Sequence, residues 1–241
     1  MMKKLTLASA RQSGRELRGD AGLSLSELLV SILLLGIVMT IVTSLFVSTN
    51  RTVATGKGIA DNTKTASNGM NEVARVIRAG TDNPVSGSAL SDPAFVSAEN
   101  EAIVIYAYVN LDSAAERPVM IRLALDSSRN LIESRWPATL LTTGNWSFPS
   151  PSTAPTSTRI LGGTVATRVS GQPWVFTYLT AAGDTLPVPA TGAFTAAQLR
   201  TIAAVRVTLT IQASQTNSMN AVTLTNAVGI PNLGIPRTVV P

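Results

Sequence analysis

The longest apolar stretch of the chain lies near its N-terminus. Residues 23–47 read LSLSELLVSILLLGIVMTIVTSLFV, with no charged residue from Leu28 to Val47. In an α-helix, about 20 such residues cross a hydrocarbon core of roughly 30 Å. A cleaved secretory signal has a shorter apolar core, about 7–15 residues, followed by an A-x-A-like site. Ser48-Thr49-Asn50-Arg51 supplies no such site. The pattern predicts a transmembrane helix over 23–47.

The period then changes. Ile59, Thr63, Ala66, Met70, Val73 and Ile77 recur at alternating four- and three-residue steps, the signature of one helical face. We expect the helix to continue over 48–80 with this face packed on a sheet; a coiled coil is the alternative for the same spacing. Gly56 and Gly58 predict a bend or fray. Gly80, just after Arg75 and Arg78, is a suitable stop, since cations and glycine both favour helix C-termini.

From residue 81 onward the pattern is that of strands and turns. Pro84, Gly87 and Pro93 mark 81–100 as a loop. In 102–110, Ile103, Ile105, Ala107 and Val109 share one face, and Val104, Tyr106 and Tyr108 the other. Val119, Ile121, Leu123 and Leu125 alternate likewise; the cluster 126–130 reads as a turn, and 131–136 returns as the next strand. These three runs predict an antiparallel meander covering the helix. The Pro/Ser/Thr-rich segment 137–158 reads as an exposed loop. Further strands are expected over 173–180, 203–212 and 221–228, with a short helix over 196–202 capped by Thr195. Trp174, Phe176 and Tyr178 share a strand face and are expected in the core. The fold class is α+β: a long N-terminal helix on an antiparallel β-sheet domain spanning 81–241.

Composition narrows the chemistry. Apolar residues make up 45% and charged residues 14%, with no His and no Cys. Disulfides, thiolate or imidazole metal sites, and Ser-His-Asp or Cys-His catalysis are therefore excluded, and no cofactor is expected. The pI near 10.1 suggests nucleic acid, but the charge is misplaced for it. Residues 1–22 hold Lys3, Lys4, Arg11, Arg15 and Arg18 against Glu16 and Asp20. A basic flank before an apolar helix sets topology, with the N-terminus cytoplasmic and residues after about 50 outside. Elsewhere the Arg residues are scattered and not interleaved with aromatics, which argues against nucleic acid as a partner.

Glu27 interrupts the start of the apolar run. A charge at the centre of a transmembrane helix costs on the order of 2.5–3.5 kcal/mol on insertion scales, less near the interface. One reading places it at the membrane rim, helped by the helix dipole. The other comes from its context. The stretch Gly22-Leu23-Ser24-Leu25-Ser26-Glu27-Leu28-Leu29-Val30 resembles the processing signature of type IV prepilins and pseudopilins. That resemblance implies a basic leader, 1–22, cleaved after Gly22 by a prepilin peptidase, and methylation of the new amine on Leu23, where the family usually has Phe. It also implies that Glu27, fifth in the mature chain, sets subunit register. In a helix bundle, the amine of one protomer and the carboxylate of its neighbour would each remove the other's burial penalty, and any other offset would leave both unpaired. Gly36 is then a site where the helix loosens on assembly; ordinary tolerance of glycine in membrane helices is the plainer reading. The proline many major pilins carry further on is absent, with Ser44 near that point.

The outer domain extends the resemblance. Gly171-Gln172-Pro173-Trp174-Val175-Phe176-Thr177-Tyr178, Gly183-Asp184, Leu199-Arg200-Thr201-Ile202 and Val205-Arg206-Val207-Thr208-Leu209 look like the C-terminal half of PilW-type minor pilins, a layout shared with J-type pseudopilins of type II secretion. Asn71–Gly80 is similar to the end of their long helix. The implied function is a structural filament subunit without chemistry of its own. Implied partners are other pilins, the prepilin peptidase, an inner-membrane assembly platform and the bilayer. The location implied is a single-pass cytoplasmic membrane protein with an extracytoplasmic domain, at the cell surface after assembly. Two other classes compete. One is a single-pass anchored binding protein. The other is an anchored enzyme using Asp112, Glu116, Asp126 or Asp184 as an acid–base pair, although each lies in or near a turn, where solvated carboxylates are routine.

Overall fold

The computed structural model describes residues 22, 24–109 and 117–233. The chain divides into two compact units between Thr52 and Val53. Helix α1 (Leu25–Arg78) runs through both without a break, so Gly56 and Gly58 do not fray it. The reason for Gly58 lies in packing. A Cβ there would come within 2.6 Å of the Asn220 amide nitrogen, and Asn62 Nδ2 donates to the Asn220 carbonyl at 2.8 Å. A side chain at position 58 would make the Asn220 amide swing aside where this hairpin tip meets the helix.

In the first unit the large apolar side chains of α1 from Leu28 to Val47 are all exposed. This stretch is long and apolar enough to cross a membrane, and none of it is buried. In the second unit the predicted helical stripe is buried only over its later half. Ala66, Met70, Val73 and Ile77 lie in the core with Ala74 and Val76, whereas Ile59 and Thr63 are exposed. Fully burying a Val- or Ile-sized side chain contributes about 1.5–3 kcal/mol, so the last four turns hold the helix to the sheet. A Cβ built at Gly69 would meet the Gly162 Cα at 3.5 Å, an ordinary contact distance.

A five-stranded sheet follows. Strands β1 (Phe95–Ala98), β2 (Ala102–Ala107), β3 (Val119–Leu125), β4 (Asn130–Pro137) and β7 (Ser157–Thr164) lie in that order, all antiparallel. The meander β2-β3-β4 is the predicted one, and its Ile103, Ile105, Ile121 and Leu123 face the main core with α1. The turn between β3 and β4 places Arg129 at φ 59°. Asp126 accepts the Asn130 N–H at 2.8 Å.

Two segments read as loops are structured. Within 81–100 lie β1 and a bridge between Asn83 and Asp92. Within 137–158, β5 (Thr139–Leu140) and β6 (Trp146–Ser147) form a small hairpin. Trp136 Nε1 donates to the Thr153 carbonyl at 3.1 Å, and Phe148 packs on Tyr106 with ring centroids 4.4 Å apart. The segment thus covers the opposite sheet face, where Val104, Met120 and Trp136 form a second small core.

The second sheet runs β11 (Val222–Gly229), β10 (Ala204–Ile211), β8 (Phe176–Leu179), β9 (Thr185–Leu186). Helix α2 (Ala196–Thr201) begins at Thr195 with a full capping box to Gln198. Both sheets feed one core. Tyr178 on β8 is fully buried; its hydroxyl donates to the Glu99 carbonyl at 2.5 Å, and its ring sits edge-on to Phe95 and Phe194. Trp174 departs from expectation. It is 38% exposed and lies under the Arg168 guanidinium, 4.2 Å from ring centre to Cζ. The strand starts only at Phe176, where its pairing with β10 begins, so Trp174 falls outside the alternation that buries Phe176 and Tyr178.

Candidate functional site

The first turn of α1 holds the sequence motif. Ser24 precedes the first helical residue, and the four N–H groups of a helix start need acceptors. Ser24 Oγ accepts the Glu27 N–H at 3.2 Å, and Glu27 Oε2 accepts the Ser24 N–H at 3.3 Å. This reciprocal pair is a capping box, Ser-x-x-Glu. Sequence reasoning weighed Glu27 against the membrane and a neighbour's amine and missed Ser24; the S-x-x-E spacing ahead of an apolar run was the available signal.

The carboxylate is used on one side only. Oε2 takes the Ser24 N–H and, at 3.4 Å, the Ser24 hydroxyl. Oε1 accepts no hydrogen bond among the described residues, and the side chain is exposed. Glu27 therefore caps its own helix and keeps an oxygen free for a cation. Ser24 Oγ also lies 3.0 Å from Ser26 Oγ, which adds to a polar collar at the head of the apolar helix.

Gly22 is exposed and outside the helix. Leu23, the expected methylation position, lies outside the described residues, as does the leader before Gly22. At Gly36 the helix is regular. A Cβ there would meet nothing within 4 Å, and the Thr40 hydroxyl donates to the Gly36 carbonyl at 2.8 Å. Such back-bonding shares the carbonyl with the helix ladder and favours slight bending.

The carboxylates considered for catalysis are not assembled into a pair. Asp126 is occupied by its turn, where the Asn130 N–H hydrogen bond holds its carboxyl below the ordinary range. Asp184 sits in the β8–β9 turn, its carbonyl accepting from Thr180 N–H at 2.9 Å. Asp112 and Glu116 lie outside the described residues. Among the described residues, no three His, Cys, Asp or Glu side chains gather as metal ligands.

The most developed charge cluster lies between α1 and the sheet. Glu133 on β4, with no exposed surface, is paired with Arg135 and Arg159. Arg159 also reaches Glu72 on α1, which Arg75 pairs at 3.0 Å. Burial opposes the charged form of Glu72, but hydrogen bonds from Arg159 and Arg75 outweigh it and hold the carboxyl below its ordinary range. Arg159 is pushed the other way, its pKa raised chiefly by Glu133. The cluster is internally satisfied and fastens helix to sheet. No protein-family model and no curated protein matches this chain.

Proposed function

We propose that the chain is a minor pilin or pseudopilin subunit, cleaved after Gly22 and held in a membrane or filament through the first half of α1. The observation carrying this reading is the half-used carboxylate of Glu27 at the head of an uncovered apolar helix. Cleavage before Leu23 leaves the whole capping box in the mature chain, because the Ser24 N–H remains an amide. It also creates a positive amine four residues before Glu27. In a bundle of such helices, Glu27 Oε1 is the acceptor for that amine on a neighbouring copy. The pairing fixes the axial offset, since a slip would leave two unpaired charges in an apolar medium. The β-rich domain would then lie outside the membrane as part of a pilin fold, and the subunit would do no chemistry.

The capping box favours one competing reading, a single-pass anchored binding protein, because it gives Glu27 a purely local use. Two substitutions separate them. Glu27→Gln keeps the cap, since Gln serves at this position of a capping box, and removes the charge; Glu27→Ala removes both. A filament subunit loses incorporation with either substitution while still inserting in the membrane. An anchored protein tolerates Glu27→Gln fully. Intact mass and N-terminal sequencing of membrane-extracted chain complete the test. A start at Leu23 with an added methyl group supports the proposal, and an unprocessed chain in cells with active prepilin peptidase refutes it.

A further inference from the structure

An open groove of about 440 Å³ lies on the five-stranded sheet, on the face opposite the main core. Small-molecule sites fall in roughly the 300–1,000 Å³ range, mostly apolar with a few convergent polar groups. The groove is built where the covering segment 145–151 meets the segment 83–86 over Tyr106 and Met120 of the sheet, with Asp92 beside them.

Two polar groups facing this place make no hydrogen bond among the described residues, and a third beside them is shut away from solvent. Trp146, only 7% exposed, has its indole N–H buried without an acceptor. The Tyr106 hydroxyl and the Asp92 carboxylate make no hydrogen bond among the described residues. Burial, and then the Asp92 charge, push the Tyr106 hydroxyl up to about 12, so it stays a neutral donor. The indole N–H has no accessible surface, so a ligand in the groove would meet the half-buried Tyr106 hydroxyl and the exposed Asp92 carboxylate instead. The half-buried Tyr106 and Phe148 rings, stacked at 4.4 Å, supply an apolar surface beside these groups.

The chemistry of the lining selects the ligand. Among the described residues no Lys or Arg lines the groove and one carboxylate does, so an anion would meet repulsion there. A proline-rich peptide could accept from Tyr106, but proline has no N–H to offer Asp92. A sugar hydroxyl both accepts and donates, and the C–H face of a pyranose suits an aromatic ring. We propose that this groove is a binding site for a neutral saccharide, with Tyr106 as donor, Asp92 as acceptor and Phe148 beside Tyr106 as the stacking surface.

The proposal does not depend on processing or filament assembly, so binding is measured on the full chain in phosphatidylcholine nanodiscs, free of sugar-based detergent. The probes are neutral di- to tetrasaccharides of glucose, galactose, mannose and N-acetylhexosamines, with sialyllactose and a polyproline decapeptide as comparators, followed by tryptophan fluorescence and calorimetry. At least one neutral saccharide is expected to bind in preference to both comparators. Asp92→Asn and Tyr106→Phe, which keep shape and stacking, should each weaken it about tenfold or more, with the unfolding transition unchanged. No binding by any neutral saccharide to folded chain overturns the proposal. So does stronger binding of the polyproline or sialylated probe, or binding that both variants leave intact.

Discussion

Arg159 Nη2 lies 3.0 Å from Oε2 of Glu133, a residue with 0% exposure. The same nitrogen is 2.7 Å from Glu72 on α1, so one guanidinium joins a buried carboxylate of the sheet to a half-exposed one on the helix. Breaking a buried pair by removing one partner is far costlier than breaking a surface pair, because the remaining charge stays buried.

Arg159→Met should therefore destabilise the second unit by about 1–3 kcal/mol, with Arg135 left as the one cation paired with Glu133 among the described residues. Urea unfolding of the full chain in detergent should show a lower midpoint at unchanged slope. Arg75→Met, at a more exposed pair on the same helix, should cost under about 0.5 kcal/mol. Equal losses from the two would contradict this account of the cluster.

Acid should weaken the same contact. The Glu72 carboxyl is held below its ordinary value of 4.5 in the folded chain, so the unfolded chain binds its proton first as pH falls. Its stabilisation is full above 4.5 and is lost as pH drops through the folded value. Unfolding midpoints of the wild type and Glu72→Gln should differ at pH 7 and converge as pH falls below 4.5.

Gly80 follows the end of α1, bridged to Ala107. A Cβ there would lie 2.7 Å from Ile105 Cδ1, 3.0 Å from the Ile77 carbonyl and 3.2 Å from Ile230 Cγ2. Overpacking of this kind costs about 1–3 kcal/mol. Gly80→Ala should lower the unfolding temperature, and the additional variant Ile105→Val, which removes the nearest methyl, should recover part of the loss.

Thr195 anchors α2, which carries Leu199 into the core and directs Arg200 to the Ser91 carbonyl at 2.8 Å. Thr195→Ala should cost about 1 kcal/mol. Hydrogen exchange at the Leu199 amide, bonded to the Thr195 carbonyl, should speed up before the strands are affected.

The meander and the helix end were legible because Ile103, Ile105, Ile121 and Leu123 keep a strict two-residue period and Ala66, Met70, Val73 and Ile77 a helical one. Strand β7 was hidden by its own inward positions. Arg159 reaches Glu72 on α1, and Gly162 and Gly163 follow Leu161, so the run shows no apolar alternation despite its β-branched residues. Its partner Glu133 breaks the apolar face of β4 in the same way. Strand β1 has four residues and a register shift between Phe95 and Ser97, too short and irregular for a period to emerge.

At the N-terminal motif, spacing placed Glu27 at the helix start, and the local bond to Ser24 could have been read from the same letters. The free Oε1 could not, since it depends on which oxygen the cap occupies. The groove was not legible at all. Asp92, Tyr106 and Trp146 come from three separate segments, and two of those segments read as loops. Only the folding of 137–156 over the sheet brings them together.

The bare side chains from Leu28 to Val47 also govern how this protein is made and handled. A nascent chain emerging with that surface has no interior of its own to hide it, so it must pass directly from ribosome to lipid or be shielded by a chaperone. Released into plain buffer, molecules would cluster through this segment while their β-rich units stayed folded. Light scattering would then report aggregation well below the temperature at which the sheets unfold.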